Sequence, residues 1–532
     1  MSIGMAYLQT SPREVARWQK VQQQLMGKRF TSALAGYRDI LNRFSGVAQL
    51  WFEQGIAAMG ELEFDLADQS FRRAMELSIK DVQMLILLAQ QYQLLRRPDQ
   101  ARRCFELAVA ADPVSAHAQI SLALWHEKDR KLDQAWECIE TYVAGHPEDG
   151  YALYVKALLL HRQSRNPEAE NLVRDLIRRD SLDRNAHIAS RFLLAEILDA
   201  AGHYAEAWRH LLEAKDELRQ TAHTARLERD YDQAGARRRE LLKALPSGIV
   251  QRWRNEIPLE ANSHRLAWVG GHPRSGTTLL EAILGAHPEI HAFDEPLAFV
   301  NEIWTRLTPL NSAHTLTLSE LNSLTTGQRV ELRRRYLKSL LCEATGAPGE
   351  KVLLDKNPAA TLALPLWLRI FPELKVIIAL RDPRDVVISC MFQNLALTAL
   401  NVNFLSLDRA ATYYADLMDV WLRMRELGGF DWIQVRYRDV VANLAGEGRR
   451  ATEFLQLPWH ECQTKFYESA SRKFIYSPTY QDVTRPIQNR SVDRWKHYAE
   501  ALEPFQARLA PYCREFGFAE SPPINASSVQ AA

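Results

Sequence analysis

Apolar and small residues along the first 200 positions recur with a period of 34. Ala33, Ala67, Ala101, Ala135 and Ala169 stand one period apart, and four residues after each come Tyr37, Phe71, Phe105, Ile139 and Val173. Pro113 and Pro147 keep the same step. A small residue lets two helices approach closely, a large apolar residue one turn later fills the space between them, and proline ends the second helix. The pattern predicts a solenoid of helical hairpins in which these positions are core. A sixth unit, running from Gly202 to Ala214, arrives four residues late.

The period, together with Gly55, Ala67, Phe71 and Ala74, resembles the tetratricopeptide repeat. That resemblance implies a concave face of the kind that binds peptides, although a solenoid that only packs on its own neighbouring domain fits the sequence equally. Residues 215–245 are highly charged and include Arg237-Arg-Arg-Glu, a solvated helix face, before Pro246-Ser-Gly breaks the run. Beyond residue 261 the period disappears, and short apolar runs alternate with longer amphipathic segments. Leu266–Val269, Val352–Leu354, Val376–Leu380 and Trp432–Val435 read as strands. Alternating strands and helices predict a mainly parallel sheet flanked by helices. The expected organisation is an N-terminal segment 1–14, a repeat solenoid 15–217, a connecting helix and linker 218–260, an α/β domain 261–518 and a disordered tail 519–532 containing Ser521-Pro-Pro-Ile-Asn-Ala-Ser-Ser.

Length agrees with more than one domain, since 532 residues exceed the roughly 250 to 300 at which single cores stop growing. With 66 Lys+Arg against 65 Asp+Glu, and 34 of each among residues 1–250, neither half is a polybasic nucleic-acid arm, so any anion site must be local. Six cysteines at least 34 residues apart form no CxxC pair or zinc spacing and read as reduced thiols. No run reaches the ~18 apolar residues that span a bilayer, and the first residues lack a basic and apolar leader pattern. The expectation is a cytoplasmic protein with no membrane, metal or nucleic-acid partner.

The most informative stretch runs from Leu266 to Leu284: an apolar strand, a tight glycine turn and an amphipathic helix. This is a phosphate loop, whose backbone N–H groups and following helix N-terminus cradle an anion. Gly271 to Gly276 has the spacing of a nucleotide-triphosphate loop, but Thr277 stands where that motif requires lysine. Arg274, inside the turn, supplies the cation instead.

Pro273-Arg-Ser-Gly-Thr-Thr-Leu resembles the 5′-phosphosulfate loop of sulfotransferases that use 3′-phosphoadenosine 5′-phosphosulfate (PAPS), and most of all their tyrosylprotein branch. The likeness continues through Ala286-His-Pro-Glu-Ile-His-Ala-Phe-Asp-Glu295, Leu354-Asp-Lys356-Asn-Pro and Arg381-Asp-Pro-Arg-Asp-Val-Val-Ile-Ser389. It then runs through Val435-Arg-Tyr437 to Arg494-Trp, covering roughly residues 264 to 515. The resemblance implies an α/β P-loop sulfotransferase domain after the solenoid, as in tetratricopeptide-repeat sulfotransferases. It implies Glu295 as catalytic base, with Arg274 and Lys356 facing the leaving group. Ser275, Gly276, Thr277 and Thr278 would cradle the 5′ end of PAPS, Arg381 and Ser389 its 3′-phosphate, and Tyr437 and Arg494 the nucleotide. The family pattern is broken at Arg438, where an acid follows the tyrosine, and at Gln393, where some relatives carry another phosphate-binding arginine.

His272 is the rival base, since histidine titrates near neutrality. Asp382 and Asp385 read as structural. The expected activity is PAPS-dependent transfer of a sulfo group to a hydroxyl, such as a protein or peptide tyrosine presented by the repeats, with a sugar or small phenol open as acceptor and a homodimer open as assembly. Two other classes stay open: a P-loop phosphoryl-transfer enzyme, disfavoured by Thr277, and a non-catalytic repeat scaffold, disfavoured by the retained charged motif residues.

Overall fold

The computed structural model describes residues 11–179, 182–220, 223–256, 264–308, 315–344, 349–477 and 482–518. Most of the expected segment 1–14, and the expected tail 519–532, lie outside these residues.

The 34-residue period is a series of helical hairpins: α1 (Pro12–Met26) with α2 (Phe30–Leu41), α3 (Ala48–Gly60) with α4 (Phe64–Leu77), α5 (Val82–Leu94) with α6 (Pro98–Ala111), α7 (Ala116–Lys128) with α8 (Leu132–Gly145), α9 (Gly150–Arg162) with α10 (Asn166–Ile177), and α11 (Arg184–Ala200) with α12 (Tyr204–Arg219). Each repeat alanine lies in the second helix of its pair, and Ala33, Ala67, Ala101, Ala135, Ala169 and Ala207 are all fully buried. Gly55 is required by packing: a Cβ there would stand 2.4 Å from the Phe71 ring. The late sixth unit has a simple cause, because α11 has 17 residues where α3, α5, α7 and α9 each have 13, one extra turn.

Two further features keep the period and were not read from the sequence. Asp81, Ser115, Asp149 and Asp183 cap α5, α7, α9 and α11, each accepting a backbone N–H of the first turn and so satisfying donors that a helix start leaves open. Lys28, Leu62, Arg96, Arg130 and Ser164 turn the hairpins with positive φ, between 54° and 63°.

The chain divides into two compact units, Met1–Leu172 with Leu337–Glu343, and Val173–Tyr336 with Ala344–Ala532. In the second unit, α13 (Thr224–Ala244) and α14 (Ile249–Asn255) precede a five-stranded sheet: β1 (Leu266–Gly271), β2 (Ile290–Asp294), β3 (Val352–Lys356), β4 (Lys375–Leu380) and β5 (Trp432–Arg436). The order is β2-β3-β1-β4-β5, and every pairing is parallel. β1 is buried along its whole length, which is why it reads as a continuous apolar run. β2 was not read from the sequence; it is an edge strand with the burial of its middle interrupted by His291 and Ala292. On one face the helix α15 (Thr277–Gly285) packs Leu280 and Ile283 into one core with Ala267 and Val269 of β1.

The repeat helices α11 and α12 and the connecting helix α13 are integral to this second unit. Lys215 of α12 is fully buried and donates to the Gln393 carbonyl at 2.9 Å. Asp199 of α11 pairs with Arg494 at 2.8 Å and accepts from Tyr498. Asp416, on α17 (Leu407–Leu427), accepts from Tyr231 at 2.7 Å and from Arg238 at 3.3 Å.

Candidate active site

The carboxyl ends of five parallel strands bring together residues from distant parts of the sequence. Register sets Lys356 beside both Val269 and Asp294, Gly271 beside Ala379, and Arg436 beside Leu380. Strand order reverses direction between β1 and β4, and at such a switch point an open α/β sheet leaves a crevice for ligand.

The loop after β1 is shaped by its backbone. Gly271 has φ 119°, and a Cβ there would stand 2.3 Å from the Ala379 carbonyl oxygen, so only glycine fits. Its N–H donates to Thr361 Oγ1 at 2.9 Å, and that hydroxyl donates back to the Gly271 carbonyl at 2.8 Å. Ser275 Oγ donates to the His272 carbonyl at 2.6 Å and tightens the turn. Gly276, φ 91°, opens α15 and lies so close to Tyr437 that a Cβ would meet the ring at 2.5 Å. Thr277 and Thr278 begin α15, both buried, with Thr278 Oγ1 donating to Ser477 Oγ at 3.3 Å.

Arg274 sits in the turn with φ 74° and reaches across to the β4 side, where its Nε donates to Ser389 Oγ at 3.1 Å. Ser389 belongs to α16 (Pro383–Met391). Arg381 follows β4, donates to the Arg274 carbonyl at 3.1 Å and to the Ser491 carbonyl, and stacks over Tyr437 with 5.2 Å to the ring centroid. The loop and the Arg381–Ser389 motif, over 100 residues apart in sequence, thus form one cationic cluster. Arg494 lies over Phe392, 4.1 Å from its ring centroid, with its charge on Asp199. Its loop is held by Asp385, which accepts the backbone N–H of Asp493 at 3.0 Å and of Trp495 at 2.8 Å. Asp382 caps α16 and pairs with Arg384 at 2.7 Å.

On the other side of β1, Lys356 Nζ lies 2.5 Å from Asp294 and 3.0 Å from Glu295. Burial works to lower the affinity of Lys356 for its proton, but Asp294, Glu295 and Glu281 outweigh it and hold the ammonium charged well above the ordinary lysine range. Burial likewise works against the charge on Asp294, yet Lys356 and the N–H groups of Tyr476 and Ser477 keep its carboxyl below the usual range. Glu295 has φ 51°, an uncommon conformation for a non-glycine residue, held by its N–H donating to the Lys356 carbonyl at 2.8 Å. Its side chain stays 43% exposed while Lys356 is fully enclosed, so Glu295 is the member of the cluster that an incoming molecule can meet.

His272 has no such access. It is 1% exposed, packed between Tyr413 and Tyr414, and burial pushes its pKa down to about 3, so the ring stays neutral. The residues that sequence reading missed are Asp294, Thr361, Asp199 and Lys215. Asp294 was visible as one half of an acidic pair; the other three come from segments with no motif of their own.

Residues 267–461 match the model of the Sulfotransferase family. The chain is 27% identical over 260 residues to protein-tyrosine sulfotransferase A of Caenorhabditis elegans, which covers 47% of this chain and 66% of that protein. It is 28% identical over 276 residues to protein-tyrosine sulfotransferase 1 of Homo sapiens, covering 48% and 69%. The chain therefore spans just under two thirds of the length of the first of these relatives. Among solved structures, the sulfotransferase domain from the Synechococcus PCC 7002 olefin synthase aligns with 50% of this chain and 99% of that chain, at 19% identity and a TM-score of 0.35. Residues 267–461 are thus similar to the sulfotransferase family.

Proposed function

We propose that the protein is a sulfotransferase that takes the sulfo group of PAPS and passes it to a hydroxyl, with a tyrosine of a protein or peptide held by the repeats as the acceptor. The observation that carries the reading is the pairing of two clusters at one sheet edge: Arg274 with Ser389 and Arg381 on one side of β1, and Lys356 with Glu295 on the other. The first suits a nucleotide with a 3′-phosphate and a short 5′ anionic group. The second suits proton removal beside a fixed positive charge. The tyrosine acceptor draws on the relatives named protein-tyrosine sulfotransferases.

In this reading the acceptor oxygen attacks sulfur as Glu295 takes its proton, an O–S bond forms, and the bond from sulfur to the phosphate oxygen breaks with its electron pair on the leaving phosphate. Lys356 and Arg274 stabilise the charge that grows on that oxygen. Ser275, Gly276, Thr277 and Thr278 hold the 5′ side through the loop and the start of α15, Arg381 and Ser389 hold the 3′-phosphate, and Tyr437 and Arg494 contact the nucleotide.

Incubation with labelled PAPS and fractionated lysate, followed by mass spectrometry of whatever gains a sulfo group, tests the activity and identifies the acceptor. Glu295→Gln is expected to bind 3′-phosphoadenosine 5′-phosphate nearly as before while the rate at saturating donor falls about 10²- to 10⁴-fold. Near-normal turnover in that variant removes Glu295 as the base. Stabilisation by ATP instead of the bisphosphate points to phosphoryl transfer.

A further inference from the structure

The Arg381–Ser389 side of the site has a third basic side chain nearby, and it comes from the repeats. Lys215, on α12, is 1% exposed, and its ammonium donates to the Gln393 carbonyl at 2.9 Å. The face of Phe192 lies 4.7 Å away. Among the described residues no carboxylate pairs with it. The Cys390 thiol, next to Ser389 in α16, lies in the field of Arg274, Lys215 and Arg381, and Gln393, whose carbonyl Lys215 holds, donates its side-chain amide to the Ser389 carbonyl at 3.2 Å. A buried charge without a counter-ion is costly, so burial pushes the Lys215 pKa down to about 7, and an anion beside it would hold it charged. Gln393 also stands where, by the resemblance, some relatives carry another phosphate-binding arginine.

We infer that Lys215 reads the 3′-phosphate of the donor, a cation supplied by the last repeat in place of the arginine that Gln393 replaces. This rests on the donor reading above and adds a specificity residue that lies in the repeat sequence. Anion binding would give the ammonium the partner it lacks, and would tie occupancy of the nucleotide site to the seating of α12.

The test is calorimetry on the full chain with two probes, 3′-phosphoadenosine 5′-phosphate and adenosine 5′-phosphate, which lacks the 3′-phosphate. Lys215→Gln removes the charge but keeps an N–H donor for the Gln393 carbonyl; burying a neutral amide there costs less than burying the ammonium. Lys215→Met removes both. Both variants are expected to lose affinity for the bisphosphate by about 10-fold or more, as loss of a hydrogen bond to a charged group implies, and to keep adenosine 5′-phosphate binding within about 2-fold. Lys215→Arg is expected to keep the preference for the 3′-phosphate, and Gln393→Arg to restore it in the Lys215→Gln background. A Lys215→Gln variant with wild-type selectivity overturns the inference and leaves Lys215 as a cap on the Gln393 carbonyl. Equal loss of both nucleotides also overturns it. A wild-type chain with no preference for the 3′-phosphate fails the donor reading itself.

Discussion

Glu281 lies on α15 with its carboxyl buried, in the field of Asp294 and Glu295 as well as of Lys473 and Lys356. Burial, with Asp294 next, pushes its pKa up to about 7. The folded protein therefore holds the Glu281 proton at pH values where the unfolded chain has released it, so this residue lowers stability as pH rises from the ordinary carboxylate range through about 7. Glu281→Gln fixes the neutral form. It is expected to be more stable than the parent at pH 8, on the order of 1–3 kcal/mol, with the difference closing towards pH 4.5. Denaturant unfolding of both proteins at several pH values measures this, and a pH-independent difference would show that Glu281 does not titrate as its surroundings imply. At this scale the sequence was informative wherever a residue sat inside a motif: Arg274 was read from the glycine turn itself, Glu295, Lys356, Arg381 and Ser389 through the family resemblance, and all lie around the carboxyl end of one sheet. Lys215 and Asp199 were invisible, because each acts through a partner far along the chain, Gln393 and Arg494, and sits in a repeat whose pattern reports only its core.

Strands were legible where apolar residues cluster in a short run, which includes the half-exposed edge strand β5. β1, β3 and β4 have little or no exposed surface and appear as short apolar runs, whereas β2, at the sheet edge, carries polar and half-exposed residues and was hidden inside a motif. The repeats were legible because small and large apolar residues alternate on a fixed period. Their turns were not, because the left-handed positions hold Lys28, Leu62, Arg96, Arg130 and Ser164, not glycine. A non-glycine residue in that conformation costs about 1–2 kcal/mol, partly offset because glycine loses roughly 0.5–1 kcal/mol more chain entropy on folding. Ser164 is exposed, and the sixth hairpin already has Gly202 at the equivalent turn with φ 84°. Ser164→Gly is expected to stabilise its hairpin by about 0.5–1 kcal/mol. Hydrogen exchange of the α9 and α10 amides is the suitable readout, since repeat arrays open locally.

For the whole molecule, the sequence places a boundary after the last repeat, and a fragment starting near Pro246 would keep donor binding if it folds. The packing of the second unit argues otherwise. Such a fragment deletes Lys215, Asp199, Tyr231 and Arg238, leaving Arg494 without its carboxylate and Asp416, which is 8% exposed, without its buried donors. A buried carboxylate stripped of partners is among the costlier defects a fold can carry. The repeats continue in sequence across Leu172, but the compact unit begins at Val173, because α11 and α12 present polar groups to the sheet domain as well as a repeat core. Two fragments separate these views. Residues 246–518 are expected to aggregate or to bind 3′-phosphoadenosine 5′-phosphate at least about 10-fold more weakly than the full chain, having lost charged contacts at the site. Residues 182–518, which retain α11, α12 and α13, are expected to bind it within a few-fold of the full chain. If the first five hairpins present the acceptor, the longer fragment should lose turnover on a protein acceptor while keeping donor affinity. Full turnover there would mean that the early repeats take no part in acceptor selection, and donor binding by 246–518 at full strength would mean that the last repeat does not support the site.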